Sequence, residues 1–307
     1  MSESPARAWA RAHLRGTWVP LVTPFDGEQV DTAALAALVR HCAAAGVDGF
    51  VACGSTGEAA ALDDDETAQV RDTVLDAAGG RPVLLGVGGN HLPTLQARLR
   101  RHAGSGIAGV LVAPPPYVRP DQAGLLAWFR CLADTTELPL VLYDIPYRTG
   151  VRLEPATCLA LAAHPRIVGL KDCGGDPVGT QSLVADGRLA VLGGEDALAL
   201  AALCAGAAGV IAAAAQAWPA AFVALQAAVA DGRLAEARAR AARLAPGIAA
   251  LFAEPNPAPL KALLAARGWM RAALRPPLQP CSPPLAARLA AIDASLREAS
   301  PAPAGAA

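Results

Sequence analysis

Eight short apolar runs punctuate the chain between residues 18 and 212, separated by longer amphipathic segments rich in Ala and Leu. The runs are Trp18–Thr23, Gly49–Cys53, Pro82–Val87, Ala108–Ala113, Pro139–Asp144, Ile167–Lys171, Ala190–Leu192 and Ala208–Ala212. Each is nearly continuous in apolar character, as a parallel strand covered on both faces should be. Segments such as Thr32–Ala45, Asp64–Ala78, Gln122–Thr135 and Glu154–Ala163 follow helical periodicity instead. Asp31 and Gly46 bracket the first of these as N-cap and C-cap, and Pro120-Asp121 announces the one starting at Gln122. Eight strands, each followed by a helix, predict the α/β class and a closed (β/α)8 TIM barrel. An open dinucleotide-binding sheet would carry a Gly-rich fingerprint after its first strand, and none is present.

Residues 1–15 read as an N-terminal extension, Arg- and Ala-containing but without the apolar stretch of a secretory signal. The barrel is expected over 16–231. Further helical patterns follow at Ala220–Ala230, Leu234–Phe252, Pro259–Arg267 and Pro284–Glu298, of which a barrel needs only one. Residues 232–298 are therefore expected to form a C-terminal helical extension without a core of its own. The Pro/Ala-rich stretch 299–307 is expected to be disordered. Ala197 to Ala230 carries no charge and is long enough to span a membrane, but Gly206, Gly209, Gln216 and Pro219 interrupt it. A buried helix, strand and helix in succession fits it better.

Charge narrows the function classes. The 307 residues have a formal net charge of −1, which argues against nucleic acid, and no polybasic run marks an anionic membrane. Seven cysteines without a CxxC spacing or histidine partners fit reduced thiols in a cytoplasmic protein. Only two of the 26 Lys+Arg residues are lysines, Lys171 and Lys261, and only three tyrosines occur, Tyr117, Tyr143 and Tyr147. A chain that uses Arg almost everywhere keeps Lys where Arg cannot serve, and a guanidinium cannot form an imine.

Active-site groups of such barrels gather at the C-terminal strand ends. There the second run leads into Gly54-Ser55-Thr56-Gly57-Glu58 and the fourth into Pro114-Pro115-Pro116-Tyr117. The fifth ends at Tyr143 before Asp144-Ile145-Pro146-Tyr147-Arg148-Thr149-Gly150, and the sixth ends at Lys171-Asp172. A lysine buried in a low-dielectric strand end is biased toward the free amine, the form that attacks a carbonyl. Its alternative reading is a structural lysine paired with Asp172 or Glu195. Tyr143 could equally be a satisfied core tyrosine, Ser55 a helix cap or anion nest, and Arg148 a surface residue. Their convergence on one mouth favours chemistry, with Arg148 able to hold a carboxylate bidentately. No metal-ligand cluster accompanies them, so no metal or other cofactor is expected beyond the covalent imine on Lys171.

These motifs, together with Gly169-Leu170-Lys171-Asp172 and Glu254-Pro255-Asn256-Pro257, resemble the dihydrodipicolinate synthase/N-acetylneuraminate lyase family of class I aldolases over about residues 16 to 290. The resemblance implies that Lys171 forms a Schiff base with pyruvate. It makes Tyr143 the proton carrier, with Ser55 and a neighbouring subunit's copy of Tyr117 completing a relay. Thr56 would bind the pyruvate carboxylate, and main-chain groups near Gly194 and Ile211 would line the pocket. A homotetramer built from tight dimers, or a homodimer, is implied, with small-molecule substrates only.

Arg148 before Thr149-Gly150 points to the synthase branch, which condenses pyruvate with aspartate semialdehyde, whereas Ser55 is worded as in the lyases. Asp144 stands where Asn is usual, Tyr147 where a small residue is common, and Pro116 where feedback-regulated enzymes often carry a tyrosine. Asp64 and Thr67 replace histidines of some regulated members, and Asn90 lacks an acidic companion. Feedback inhibition by lysine is therefore not expected. An aldolase for a sugar acid, and a non-catalytic barrel that binds a keto acid, are the alternative functions.

Overall fold

The computed structural model describes residues 4–298; the stretch 299–307 lies outside them. Eight parallel strands close into a barrel in chain order: β1 (Gly16–Pro20), β2 (Gly49–Ala52), β3 (Val83–Gly86), β4 (Gly109–Val112), β5 (Leu140–Asp144), β6 (Ile167–Asp172), β7 (Ala190–Gly193) and β8 (Gly209–Ile211). The last strand pairs with the first through Gly16–Gly209 and Trp18–Ile211, so no edge remains. Each of the eight expected apolar runs overlaps one of these strands, to within two residues at its start and three at its end.

The helices are α1 (Pro5–His13), α2 (Thr32–Ala44), α3 (Asp64–Ala77), α4 (Leu92–His102), α5 (Gln122–Thr135) and α6 (Pro155–Leu161). They continue with α7 (Pro177–Asp186), α8 (Ala199–Cys204), α9 (Pro219–Ala230), α10 (Leu234–Leu251), α11 (Ala258–Ala266) and α12 (Pro283–Glu298). Asp31 and Asp121 cap α2 and α5 through their side chains, accepting the amides of Ala34 and Gly124. The uncharged stretch after Asp196 is divided among α8, β8, a 3-10 turn and α9, and no helix among the described residues is long and apolar enough to cross a membrane.

Side chains alternate across each strand, so every strand feeds two cores. Val19, Phe50, Leu85, Val110, Leu142 and Leu170 point outward into one large cluster shared with the helices. Trp18, Val51, Leu84, Leu111, Val141, Leu192 and Ile211 point inward and fill the barrel. Two glycines make room for the largest interior groups. A Cβ on Gly49 would lie 2.6 Å from the Trp18 ring, and one on Gly169 would lie 2.5 Å from Leu14.

Within the N-terminal extension, Pro5–His13 prove to be helical. Ser4 caps α1 from its N-terminus, Pro5 occupies the first turn, and Ala10 and Leu14 press into the interior cluster from below. The Ser4-Pro5 start and the apolar Ala6, Ala10 and Leu14 at helical spacing are the signals for it in the sequence.

The C-terminal helices share the outer core. Leu244, Ile248 and Leu251 of α10, Leu260, Leu263 and Leu264 of α11, and Leu289 of α12 belong to the same cluster as the strands. Asp293 of α12 accepts from the Trp218 indole at 3.0 Å and is paired with Arg267. Lys261 of α11 is fully buried, ion-paired with the buried Glu58, and donates to the Ala273 carbonyl at 2.8 Å. Its ammonium also lies 4.2 Å from the centre of the Phe25 ring. The second lysine of the chain is thus a structural one that ties α11 to the loop after β2. Removing one partner of a buried pair strands the other charge, so Lys261→Ala is expected to cost about 3–5 kcal/mol in urea unfolding; a loss below about 1 kcal/mol would show that the pair does not anchor this junction.

Candidate active site

Tyr143 and Lys171 are directly opposed residues of neighbouring strands, and both have interior parity. A register irregularity brings them level. Leu140 pairs with Ile167, but Val141 already pairs with Gly169, so β6 spends one extra residue near Val168. The Lys171 ammonium donates to the Tyr143 phenol oxygen at 3.3 Å and lies 4.3 Å from the centre of its ring. Both side chains are buried, at 5% and 7% exposure. Burial pushes the phenol pKa well above its ordinary value, with Cys173 adding to the shift; a hydrogen bond from Ser55 and the charge of Arg148 oppose it. The phenol therefore stays protonated at neutral pH, as a proton donor must. Neither acidic partner considered for Lys171 takes it. Asp172 accepts from the Gly174 amide at 2.9 Å and from the Thr180 hydroxyl, while one carboxylate oxygen of Glu195 is buried with no hydrogen-bond partner among the described residues.

The Gly-Ser-Thr-Gly turn after β2 forms a single 3-10 turn over Ser55–Gly57, held by the Thr23 hydroxyl on the Gly57 carbonyl at 2.7 Å. It ends on Glu58 in the left-handed region at φ 55°, where the Lys261 ion pair secures it. Thr56 is buried, and its hydroxyl accepts from the Asn256 amide at 3.0 Å. The Glu-Pro-Asn-Pro segment thus reaches the site from the far end of the chain.

Gly194, just past β7, lies against the lysine: a Cβ there would sit 2.9 Å from two Lys171 methylenes and 2.4 Å from the Cys173 sulfur. Only a glycine leaves the lysine its path to the mouth. Ile211 is fully buried in the interior cluster with Tyr143. Above Tyr143 opens a cavity of about 570 Å3 lined by Ser55, Gly86, Pro114, Ile145 and Arg148. Arg148 is exposed at its rim, in the helical turn Pro146–Thr149, with its guanidinium 5.9 Å from the centre of the Tyr147 ring.

Of the residues singled out in the sequence, Lys171, Tyr143, Ser55, Gly194 and Ile211 come together, with Thr56 beside Ser55 and Arg148 at the rim. Tyr117 does not join them within one chain. It is 91% exposed, in the left-handed region at φ 74°, and Val118 beside it is exposed too. Sequence reasoning missed Cys173 and Asp196, and quoted Asn256 only within the Glu-Pro-Asn-Pro motif, without a role at the site. Asp196 is buried and accepts from the Ala214 amide; burial pushes its carboxyl up to about 6, with the nearby lysine charge opposing. Cys173 and Asp196 stand one and three residues past strand ends and could have been found by position; the contact of Asn256 with Thr56 could not, because 200 residues separate them.

A closed parallel barrel with a lysine and a tyrosine hydrogen-bonded at its C-terminal mouth is the arrangement of a Schiff-base-forming aldolase. Comparison with known proteins narrows the class. Residues 13–292 match the dihydrodipicolinate synthetase family, and the chain belongs to it. A 4-hydroxy-tetrahydrodipicolinate synthase of Thermomicrobium roseum is 40% identical over 92% of this chain and 94% of its own length. One of Xanthomonas axonopodis pv. citri is 44% identical over 91% and 94%. Among solved structures, the dihydrodipicolinate synthase of Thermotoga maritima superposes with a TM-score of 0.90 at 31% identity, covering 92% of this chain and 98% of its own. The chloride-inhibited Acinetobacter baumannii enzyme, complexed with pyruvate, gives 0.88 at 32%, over 92% and 99%.

Asp144, next to Tyr143 at the end of β5, accepts the Leu153 amide at 2.9 Å. Burial pushes its carboxyl up to about 6; the Leu153 hydrogen bond opposes this and neighbouring Asp172 adds to it. A carboxyl with a folded pKa above its unfolded value opposes folding fully above pH 6, and progressively less as pH falls toward 4. Asp144→Asn keeps an acceptor for Leu153, so it is expected to stabilise by about 1–3 kcal/mol at pH 7.5 and hardly at all at pH 4. Thermal unfolding at both pH values checks this, and an equal change at the two would contradict it.

Proposed function

We propose that the chain condenses pyruvate with aspartate semialdehyde, the activity of a 4-hydroxy-tetrahydrodipicolinate synthase, through an imine on Lys171. The observation that carries the reading is the 3.3 Å contact between Lys171 and Tyr143 at the barrel mouth. The names of the relatives and the pyruvate in the Acinetobacter baumannii structure support it.

The Lys171 amine attacks the pyruvate carbonyl carbon, and loss of water leaves the imine. The protonated imine is an electron sink, so a methyl proton can leave and an enamine forms. Its carbon attacks the aldehyde, and the new alkoxide takes a proton. Tyr143 delivers and recovers these protons, exchanging them with Ser55. Thr56 and the amides of its turn hold the pyruvate carboxylate, with main-chain groups at Gly194 and Ile211 closing the pocket. Arg148, at the rim of the cavity, takes the carboxylate of the incoming aldehyde.

The exposure of Tyr117 and Val118 supports a dimer or tetramer in which Tyr117 completes the relay of a neighbouring copy. A monomeric variant of dihydrodipicolinate synthase is known among the structural relatives. Seven free cysteines support a reducing, cytoplasmic setting. Feedback by lysine is not part of the proposal. Asp64 is held by Arg98 and Arg101 at 2.9 Å each, and the cavity wall toward α4 is formed by Arg98 and His102, a poor receptor for a cationic amino acid.

Borohydride reduction with pyruvate present is expected to leave a covalent adduct on the Lys171 peptide. An adduct that persists in Lys171→Ala would refute the mechanism. Arg148→Ala is expected to lower kcat/KM for aspartate semialdehyde at least about tenfold, while pyruvate trapping stays near wild type; a faster reaction of the wild type with a sugar-derived aldehyde would reassign the second substrate. Millimolar lysine is expected to leave the rate unchanged, and clear inhibition would overturn that part of the reading.

A further inference from the structure

The barrel carries a second large cavity at its opposite end, below the N-termini of β6 and β7. Its volume is about 830 Å3, within the range of ligand sites, and it shares no lining residue with the mouth. Arg7 and Arg15 from the N-terminal segment and Arg188 from the loop before β7 line it, with Arg11 on the same wall. No Asp or Glu is among the described lining residues. In a chain of net charge −1, arginines from two segments far apart in sequence meet here.

The three guanidiniums are held differently. Arg7 donates to the carbonyls of Ala162 and His164, which dock it on the end of α6, yet its Nε is buried and has no hydrogen-bond partner among the described residues. A buried donor of this kind is costly unless a ligand or water meets it. Arg188 is kept rigid by a two-pronged contact with Asp186, at 2.7 and 2.9 Å. Arg15 is exposed and follows Leu14, which is buried in the barrel interior, so its backbone is fixed while its side chain can turn to a ligand. Asp186 offsets one positive charge, which leaves the site cationic through Arg7 and Arg15. Planar forks arranged about a cavity are the recognition chemistry of carboxylate and phosphate oxygens.

We propose that this cavity is a binding site for a small polyanion, carrying at least two phosphate or carboxylate groups, gripped by Arg7, Arg15 and Arg188. The site is separate from the reaction, so its occupancy is measured without reference to turnover. Titration calorimetry at low ionic strength would use pyrophosphate and citrate as probes, on the full-length protein and on Arg15→Gln/Arg188→Gln. At least one probe is expected to bind the wild type with one site per chain, to raise its Tm by about 2 °C or more at saturation, and to bind the double variant at least tenfold more weakly. Binding of pyrophosphate alone marks a phosphorylated ligand, of citrate alone a polycarboxylate, and of both a general oxyanion site. Arg15 and Arg188 are outside the catalytic machinery, so the double variant should keep its basal condensation rate and its ligand-free Tm. Where it fails to fold, Arg15→Gln alone is compared instead, with a weakening of at least threefold expected. The proposal is overturned if neither probe binds the wild type, or if the variants bind as tightly as it does.

Discussion

Closure of eight parallel strands imposes the constraint on which everything else rests. With no edge left, each strand end becomes a fixed point on a ring, and the two-residue alternation of side chains decides what faces the axis. The lower layers of the interior are packed with Trp18, Val51, Leu84, Leu111 and Val141, and α1 closes the bottom with Ala10 and Leu14. Only the uppermost layer is left for reactive groups, and there Tyr143 and Lys171 meet. The lysine is rigid because it stands on a filled barrel, and it has room because Gly194 has no side chain.

The supports of this layer come from outside the barrel. Glu58 and Thr56 belong to one turn, and both are held from the C-terminal helical region, by Lys261 and Asn256. The buried ion pair carries a desolvation cost that only an intact geometry offsets, so breaking it would strand a charge beneath the turn. The helices beyond the barrel therefore hold the hydroxyls and amides of this turn in place at the mouth, on the side opposite Lys171.

Much of this was legible in the chain. The strands and most helix boundaries follow from apolar runs, caps and prolines, because those signals are local. The scarcity of lysine pointed to Lys171 for a chemical reason, yet the same scarcity did not separate it from Lys261, which is equally buried. Rarity marks a residue that arginine cannot replace, and a compact ammonium inside a buried ion pair is one such case. The helical nature of residues 5–13 was overlooked since its signal is one cap and three small apolar residues. Tyr117 was placed by resemblance, and in a single chain it is exposed to solvent rather than packed in the site.

By itself the sequence determined which residues stand at strand ends, since hydrophobic runs and their polar terminations are written locally. It also determined the chemistry available there: an amine, phenols, hydroxyls and a guanidinium. Register was decided only by the tertiary structure. Without the extra residue near Val168, Tyr143 would lie level with Leu170, which faces the outer core, instead of Lys171. That single-residue slip depends on how β6 fits between β5, β7 and the Leu14 side chain beneath Gly169. Packing among segments far apart in the chain sets it, and no local pattern encodes it.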